Sequence, residues 1–589
     1  MATSRVAFRS LSRASQFLGA RRPWTCSTCR NGVTSRFQRG VATTPEAPKK
    51  PYYVTTPIFY VNAAPHVGHF YTMVIADIIK RWQVLLGNDA RLLTGTDEHG
   101  MKIQQAALAA GMDTQAFCDM NCRTFETLAK AANLNNDHFI RTTDSSHRDA
   151  VQYFWEMLNH RGHIYTSKHE GWYSVSDETF YPQTQVQNSL DPTTGRKRMV
   201  SLSRVSFTTS IAAHQSRQVS IETGKEVEWS SETNYHFRLS AFQDRLLELY
   251  NRPDSFITPS KYATAVIQSV SSGLTDLSIS RPAERLTWGI PVPGDDTQTI
   301  YVWLDALVNY LTYAGYPFPP GQEKSSIWPA NVHVVGKDIV RFHCVYWPAF
   351  LMALDLPLPR NVLVHGHWTM NREKMSKSTG NVVNPFFAID RFGVDGMRFF
   401  LAYQGGLSDD ADYDNSFIIR DYKKWLQGGI GNLAYRTIGC AKGKLHSYIQ
   451  DATSDKLPAA STADEEHQAM LIATPLKVAE LMTGLNPRAA LQEIMSIIEK
   501  TNKYFHAAEP WKSANPQWVL YNVAESLRIS AILLQPFMPD KSRELLDLLR
   551  VDTSNPAKRA ISATVYGSDP DYGEDIRKGM LFPPLLTEE

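Results

Sequence analysis

The sequence predicts an α/β fold, in which a parallel-sheet region carries a smaller inserted domain and is followed by an all-α helical bundle. Residues 51–61 (PYYVTTPIFYV) are β-branched and aromatic, a helical pattern follows them, and residues 90–97 (ARLLTGTD) again have strand character. This β–α–β order implies parallel strands. Residues 171–235 are Ser/Thr-rich and irregular, and beyond residue 405 the apolar residues recur at helical spacing.

The individual elements follow from local patterns. A helix is predicted from Phe70, because Tyr71, Val74, Ile78 and Trp82 share one face, and Gly87 is suited to close it. Residues 102–165 are predicted to be helical. The second α/β block is predicted to contain strands in TIYVWLDAL (299–307), VHVVGKD (332–338) and NVLVHGHWTM (361–370).

Composition restricts the function classes. The 589 residues carry a net charge of +2, so a nucleic-acid partner must be bound by a local patch. No run of about 18 apolar residues is present, so no membrane partner is expected. Residues 1–45 contain eight arginines and no acidic residue, which predicts a mitochondrial transit peptide; a disordered basic arm is the alternative. The pair Cys26 and Cys29 lies in this leader without a second pair, so zinc is not expected there.

The segment HVGH (66–69) stands between the first strand and its helix, where other nucleotide-binding proteins carry a glycine-rich loop. A helix N-terminus favours an anion. Gly68 lets a phosphate or a base approach the backbone, and His66 and His69 can donate hydrogen bonds to phosphate oxygens. Two histidines alone do not supply the roughly three protein ligands of a zinc site. We therefore predict a phosphate site.

The second motif is KMSKS (374–378), a loop that carries Lys374, Ser376 and Lys377. Its ammonium groups are suited to stabilise charge on a pyrophosphate leaving group. Taken alone, such a loop is equally typical of a solvated surface turn.

Together the two motifs resemble the HIGH and KMSKS signatures of class I aminoacyl-tRNA synthetases. The segments between and beyond them, namely TGTDEHG, SISRP, YVWLDALVNY, VVGKDIVRFHCVYWPAF, GNLAYR and EPW, resemble the methionyl-tRNA synthetase family, in order, from about residue 50 to beyond residue 510. The resemblance is greatest to the mitochondrial and related bacterial form. It implies a transit peptide (1–45), a Rossmann-type catalytic domain in two halves (46–170 and 261–370), a connective insertion (171–260), a KMSKS and stem-contact region (371–404) and a helical anticodon-binding domain (405–589).

The resemblance also assigns site residues. The methionine subsite would comprise Ile58, Tyr60, Asp97, Trp303, Ala306, Leu307, Tyr310 and His343, with Asp97 pairing with the substrate ammonium. A thioether lacks a strong hydrogen-bond partner, so selection by shape and by sulfur–aromatic contact is expected; ordinary core packing is the alternative for the aromatic residues. Catalysis would use His66, His69, Lys374, Lys377 and Arg281. The ATP site would comprise His66, Gly68, His69, Lys337, Asp338, Lys374, Ser376 and Lys377.

In the helical region, Asn432, Arg436, Pro510 and Trp511 resemble the readers of the CAU anticodon of tRNA(Met). Asn432 and Arg436 are four residues apart, so they share a helix face. Aromatic stacking combined with polar contacts to base edges is how single-stranded RNA loops are recognised. A helix-start core anchor is the alternative role for Trp511.

Departures from the family pattern give further expectations. Ser174 and Asp177 stand where many relatives have zinc-binding cysteines, and no cysteine lies between Cys122 and Cys344. We therefore predict an insertion without zinc, and ATP with Mg²⁺ as the only cofactors. The insertion is too short for a large editing domain. An added C-terminal tRNA-binding barrel is not evident, which predicts a monomer.

The sequence thus predicts an enzyme of the mitochondrial matrix that attaches L-methionine to tRNA(Met) through a methionyl-adenylate and contacts the acceptor end and the anticodon. Two alternatives remain at this point. A nucleotidylyltransferase also binds phosphates with an HxGH motif, but it would need neither the helical C-terminal region nor the KMSKS loop. A non-catalytic tRNA-binding relative would keep the bundle and lose the active-site signatures.

Overall fold

The computed structural model describes residues 50–174, 179–181, 186–188, 218–220, 226–375, 382–454, 456–576 and 579–585. The predicted transit peptide, the pair Cys26 and Cys29, Asp177, Ser376 and Lys377 lie outside these residues. Across the described ranges, no helix has both the length and the apolar character needed to cross a membrane.

The strands are short except for two long ones in the insertion. They are β1 (Tyr52–Thr55), β2 (Phe59–Tyr60), β3 (Ala90–Asp97), β4 (His138–Arg141), β5 (Ile164–Ser174), β6 (Thr179–Tyr181), β7 (Val186–Asn188), β8 (Gln218–Ser220), β9 (Glu226–Phe237), β10 (Ile257–Thr258), β11 (Leu277–Ser278), β12 (Ser280–Pro282), β13 (Pro291–Val292), β14 (Asp295–Ile300), β15 (Val332–Gly336), β16 (Asn361–His365), β17 (Trp368–Met370), β18 (Glu373–Lys374) and β19 (Ala411–Asp412).

The helices lie on both sides of the main sheet and fill the C-terminal third. They are α1 (Val67–Leu85), α2 (Met101–Ala109), α3 (Thr114–Ala131), α4 (Ser145–His160), α5 (Gln243–Tyr250), α6 (Ser260–Ser271), α7 (Val302–Tyr313), α8 (Trp347–Ala353), α9 (Pro385–Phe392), α10 (Val394–Gln404), α11 (Asn415–Asp421), α12 (Asn432–Ala441), α13 (Leu445–Thr453), α14 (Thr462–Thr483), α15 (Pro487–Ala508), α16 (Gln517–Leu534) and α17 (Pro539–Leu548).

The main sheet is parallel throughout and has the order β10–β16–β15–β1–β3–β4, with β2 continuing the line of β1 along β3. Successive residues of each strand point to opposite faces. Val54 and Leu92 therefore join a core with α1, whereas Tyr53 and Leu93 join a core with α7. Strands are added on both sides of the central β1, with β3 on one side and β15 on the other. This reversal of strand order leaves a crevice at the carboxyl ends of β1 and β15.

Three details differ from the sequence-based expectations. The helix predicted from Phe70 begins at Val67, so HVGH contributes to its first turn. The strand predicted at TIYVWLDAL ends at Ile300, and α7 begins at Val302. The predicted helical region 102–165 contains the strand β4. In α7, Trp303, Ala306, Leu307 and Tyr310 recur at helical spacing, and this periodicity outweighs the high strand propensity of the segment.

The remaining sheets are small and antiparallel or mixed. Described strands of the insertion form an antiparallel sheet in the order β6–β5–β9–β8–β7, with β11 along β9. A second sheet, β12–β14–β13, carries Arg281, and a third, β18–β17–β19, carries the backbone of Lys374. From Asn415 to Leu548 the regular elements of the described chain are all helical, and a π-helical segment (Tyr422–Gly431) joins α11 to α12.

Candidate active site

One cleft of about 1810 Å³ opens at the carboxyl ends of β1, β3 and β15. It brings together fourteen predicted site residues from segments that are far apart in sequence. These residues are Ile58, Tyr60, His66, Gly68, His69, Asp97, Arg281, Trp303, Ala306, Leu307, Tyr310, Lys337, Asp338 and His343. Catalytic and ligand-binding groups of parallel α/β proteins are expected at this edge of the sheet.

His66 and His69 close the N-terminus of α1 as a reciprocal cap. The backbone N–H of Gly68 donates to His66 Nδ1, and the backbone N–H of His66 donates to His69 Nδ1, both at 3.0 Å. A nitrogen that accepts from an amide carries no proton, so each neutral ring is protonated at Nε2. The pair therefore places two N–H donors beside a helix N-terminus, where the backbone also favours an anion.

The two rings are held close together and against the core. Their centroids are 3.9 Å apart, and the His69 ring meets Phe59 and Phe125 edge-on at 5.2 Å. A Cβ at Gly68 would lie only 2.8 Å from Cε1 of His66. A side chain at position 68 would thus force the His66 ring to move from its capping position. Glycine also leaves the backbone open to approach, as the sequence predicts.

Asp97 ends β3 and lines the cleft, although its side chain is buried. The next residue, Glu98, is turned into a separate network. Arg141 binds both of its carboxylate oxygens, at 2.7 and 2.9 Å, and Thr143 donates to Oε2 at 2.6 Å. Of these two adjacent acids, Asp97 is the one that lines the cleft.

The apolar wall of the cleft comes from α7 and the π-helical segment Phe342–Tyr346. The Trp303 ring stacks on Phe342, with centroids 3.6 Å apart and planes 12° from parallel. Phe342 lines the cleft but was not among the predicted site residues. The available signal was its position directly before His343, in a segment rich in aromatic residues.

Tyr310 and His343 satisfy each other's polar atoms. His343 Nδ1 lies 3.0 Å from the Ile339 carbonyl, which can only accept, so His343 Nε2 accepts from the Tyr310 hydroxyl at 2.7 Å. Burial lowers the pKa of His343 to about 4, so the ring is neutral at pH 7. This part of the wall therefore presents no charge, which suits a thioether.

Arg281 is buried on β12, at the other side of the cleft. Its Nη1 donates to Ser278 Oγ at 3.0 Å and to the Ser280 carbonyl at 2.7 Å, and its guanidinium lies 4.6 Å from the centroid of the Tyr301 ring. These contacts fix a permanent positive charge at the cleft, since an arginine cannot be deprotonated in a protein.

The loop after β15 supplies Lys337 and Asp338. Lys337 Nζ lies 2.7 Å from Asp410 Oδ1, and His367 Nε2 lies 3.3 Å from Asp338 Oδ1. His365, at the end of β16, also lines the cleft and was not predicted; its Nε2 lies 2.9 Å from the Thr72 hydroxyl on α1. Burial lowers the pKa of His365 to about 4, so this ring is neutral too.

The KMSKS segment begins at β18, in a hairpin whose turn residues Asn371 and Arg372 have positive φ. Arg372 and Met375 line the cleft, so the described beginning of the segment lies at the cleft. Only the backbone of Lys374 is described, and Ser376 and Lys377 lie beyond the described residues. In the parts of the chain that the structure describes, no group of three or more His, Cys, Asp or Glu side chains is arranged to hold a metal ion.

Comparisons with known proteins agree with this geometry. The family described as "tRNA synthetases class I (M)" matches residues 52–438. A probable mitochondrial methionine–tRNA ligase of Neurospora crassa is 47% identical over 97% of this chain and 92% of its own length. The chain belongs to the methionyl-tRNA synthetases. A corresponding protein of Schizosaccharomyces pombe is 47% identical over 86% of this chain and 91% of its own. Mycobacterium tuberculosis methionyl-tRNA synthetase, crystallised with methionyl-adenylate, matches with a TM-score of 0.79 and 38% identity over 91% of this chain and 100% of its own.

Membership of the methionyl-tRNA synthetases decides between the alternatives that the sequence left open. The activity is the ATP-dependent attachment of methionine to tRNA through methionyl-adenylate. A nucleotidylyltransferase and a non-catalytic tRNA-binding protein are therefore set aside.

A second region of this synthetase, in the helical bundle, brings together two of the predicted anticodon residues, Arg436 and Trp511. The Arg436 guanidinium lies 4.7 Å from the centroid of the Phe505 ring and 5.3 Å from that of Trp511, and its Nη1 lies 2.8 Å from His506 Nε2. Asn432 is exposed at the start of α12, Pro510 is buried and Trp511 is 44% exposed. The patch thus combines an exposed aromatic ring with a cation, two groups that suit unstacked bases.

Proposed function

We propose that His66, His69, Lys374, Lys377 and Arg281 stabilise the charge that develops on the phosphates when methionine is activated. The methionine carboxylate attacks the α-phosphate of ATP, a new P–O bond forms, the bond to the β-phosphate breaks, and pyrophosphate leaves. Fixed donors at the developing charge are the main way in which a site lowers such a barrier. The two Nε2–H donors at the N-terminus of α1, in the same cleft as Arg281, are the observation that carries this proposal.

The remaining cleft residues divide into two subsites. Gly68, Lys337, Asp338 and Ser376 would contact ATP, which arrives with Mg²⁺ held mainly by phosphates and water. The second subsite would hold methionine, with Asp97 at its ammonium group. The uncharged wall around Tyr310 and His343, together with the stacked pair Trp303 and Phe342, supports this assignment. Ile58, Tyr60, Ala306 and Leu307 complete that subsite.

After activation, the terminal ribose hydroxyl of the tRNA attacks the adenylate carbonyl and AMP leaves. We propose that the tRNA is tRNA(Met), that its acceptor end enters the cleft, and that its CAU anticodon meets Asn432, Arg436, Pro510 and Trp511. The cation and ring cluster around Arg436 supports the second contact. No covalent enzyme intermediate is needed, because positioning and charge stabilisation suffice.

We further propose a mitochondrial matrix location, a monomer, an insertion without zinc, and the domain division given by the sequence. The location is supported by the mitochondrial relatives and by the arginine-rich leader. The domain division is supported by the antiparallel sheet that starts at Ile164 and by the helical region beyond Asn415.

Methionine-dependent exchange of pyrophosphate into ATP tests the central assignment. We expect exchange with methionine, and no comparable exchange with leucine or valine. Asp97→Asn should raise the KM for methionine and leave the KM for ATP nearly unchanged. An equal change in both constants would contradict the ammonium assignment.

Two separate measurements test the proposals on zinc content and on location. Purified mature protein should contain no stoichiometric, tightly bound zinc by elemental analysis. Residues 1–45 fused to a fluorescent protein should direct it to the mitochondrial matrix. A cytosolic signal from this fusion would overturn the assigned location.

A further inference from the structure

A buried polar cluster lies behind the wall of the cleft and does not line it. His99 Nδ1 lies 2.7 Å from Asp305 Oδ2, and His147 Nε2 lies 2.8 Å from Asp305 Oδ1. All three side chains are almost fully buried. His147 also reaches Thr312 Oγ1 through Nδ1, at 3.0 Å.

The cluster joins the end of β3 and helix α7, which both carry cleft residues, to helix α4. His99 follows the end of β3 by two residues, and β3 ends at Asp97. Asp305 lies in the first turn of α7, between Trp303 and Ala306. His147 lies on α4 and contacts α7 at Asp305 and, two turns later, at Thr312. Through His99, Asp305 therefore links the end of β3, which carries the proposed ammonium ligand Asp97, to α7, which carries the aromatic wall.

The free-energy cost of burying the ionised Asp305 carboxylate suggests that it does more than fill space in the core. Enclosing an ionised carboxylate is costly unless it is paired and hydrogen-bonded, and replacing a buried ionic group by packed apolar residues is often neutral or stabilising. The pKa of Asp305 is nevertheless lowered to about 2: burial acts to raise it, and the two histidines more than offset that effect. The carboxylate thus stays ionised and holds a hydrogen bond to each side.

We propose that Asp305, held by His99 and His147, is a positioning residue that fixes the separation between Asp97 and the aromatic wall. This separation sets the length of the amino-acid side chain that the site accepts. The inference rests on the proposed function, because it takes Asp97 as the ammonium ligand and α7 as the thioether wall. Recognition of the thioether by direct contact with its sulfur would not depend on the link between β3 and α7.

Amino acids of different length test the inference. Kinetics of pyrophosphate exchange would be measured with methionine, with S-methylcysteine, which is one methylene shorter, and with ethionine, which is one methylene longer. One methylene in an apolar pocket changes kcat/KM by about 10- to 200-fold. In Asp305→Asn, we expect the preference for methionine over both analogues to fall by about tenfold, with the KM for ATP changed less than twofold.

Variants of the partner residue separate positioning from general damage. His99→Asn keeps an N–H donor near the position of Nδ1 and should retain most of the preference, whereas His99→Leu should lose it. Glu525→Gln removes the charge of an equally buried carboxylate in α16, paired with Arg528. This control should lower the unfolding temperature without changing the preference.

Each outcome is decisive. If Asp305→Asn lowers kcat for all three amino acids in the same proportion, or if Glu525→Gln reduces the preference equally, the positioning inference is wrong. If Asp97→Asn leaves the KM for methionine unchanged, the proposed ammonium site is wrong, whatever the result at Asp305. The two failures are therefore distinguishable.

Discussion

His66 and His69 each make a structural contact, and we propose that each also stabilises charge on the phosphates; the two effects can be measured separately. Both Nδ1 atoms accept hydrogen bonds from backbone N–H groups at the start of α1, so the rings cap this helix. Both Nε2 atoms carry the protons that we assign to phosphate binding. A substitution by alanine removes both the capping acceptor and the Nε2–H donor. A replacement that keeps only the capping acceptor is therefore needed to separate the two effects.

We predict that His66→Asn and His66→Ala differ in stability but not in activity. Asparagine is a strong N-cap, whereas alanine costs about 1 kcal/mol at that position. Neither residue restores the Nε2–H donor, and loss of one such donor typically lowers kcat on the order of 10²- to 10³-fold. Thermal unfolding and the kcat for pyrophosphate exchange measure the two effects. Exchange at the wild-type rate in both variants would refute the phosphate role.

At the scale of elements, α7 and the α12–α15 contact show how helices present functional side chains. In α7, the apolar face forms the cleft wall and Asp305 anchors the helix from behind. In the bundle, Arg436 of α12 is held beside Phe505 of α15 and beside Trp511, which follows α15. Each arrangement depends on packing between elements that are far apart in sequence.

We predict that Trp511→Ala weakens tRNA charging and leaves pyrophosphate exchange unchanged. Stacking of a base on an aromatic ring is worth about 1–3 kcal/mol, so kcat/KM for tRNA should fall by roughly 5- to 150-fold. Trp511→Phe should retain part of the charging activity. Tyr153→Ala, which removes a comparably exposed ring on α4, is the control that should not change charging. A parallel loss of exchange in Trp511→Ala would indicate structural damage instead.

At the scale of the whole molecule, Arg398 of α10 connects helix α1 to the C-terminal bundle. Its Nη2 lies 2.6 Å from Asp77 of α1, and its guanidinium also donates to the carbonyls of Ala132, Pro536 and Phe537. Asp77 and Arg398 are fully buried. One arginine thus joins α1 through an ion pair and the C-terminal helices through hydrogen bonds to backbone carbonyls.

We predict that Arg398→Met lowers the free energy of unfolding by about 3–5 kcal/mol, the usual range when one partner of a buried pair is removed. Adding Asp77→Leu should restore part of that loss, because the double variant leaves no buried, unpaired carboxylate. Arg81, the second partner of Asp77 at 2.7 Å, has a side chain that is 20% exposed, so water can solvate its charge. Lys503→Met breaks an exposed pair with Glu499 and should change stability by less than about 1 kcal/mol. Urea unfolding is measured for these three variants and for Asp77→Leu alone. Strict additivity of the two buried changes would contradict the pairing.

Buried neutral histidines predict the pH dependence of stability. Burial lowers the pKa of His343, His365 and His467 to about 4, against about 6.5 in an unfolded chain. Between pH 6.5 and 4 the unfolded state binds these protons and the folded state does not, so stability should fall as the pH is lowered.

His467→Phe tests the sign of this effect. The ring stacks on Tyr504, so phenylalanine can take its place, and Asp464 is the charged group that acts on its pKa. The slope of unfolding free energy against pH should decrease by about one proton, or about 1.4 kcal/mol per pH unit, in this window. An unchanged slope would show that His467 does not titrate in this way.

Several features were predictable because they depend on local pattern. The first strand, α1, the end of α1 near Gly87 and the helical C-terminal third all follow from periodicity and from turn residues. Gly87 has a φ of +81°, which is the conformation expected of a glycine after a helix. Two elements were not predicted correctly. Val302 and the residues after it have strand propensity but form α7. The strand β4 was assigned to a helix because a four-residue strand has almost no period of its own.

The sequence by itself determined the fold class, the two nucleotide signatures and the family resemblance, since these reside in short ordered segments. Only the tertiary structure decided that Asp97, Arg281, Trp303 and His343 line one cleft, that Phe342 stacks on Trp303, and that Asp305 is paired with two histidines. The physical reason is that these contacts join residues from 39 to 206 positions apart. Their geometry is set by the pairing of parallel strands and by helix packing, which no local pattern encodes.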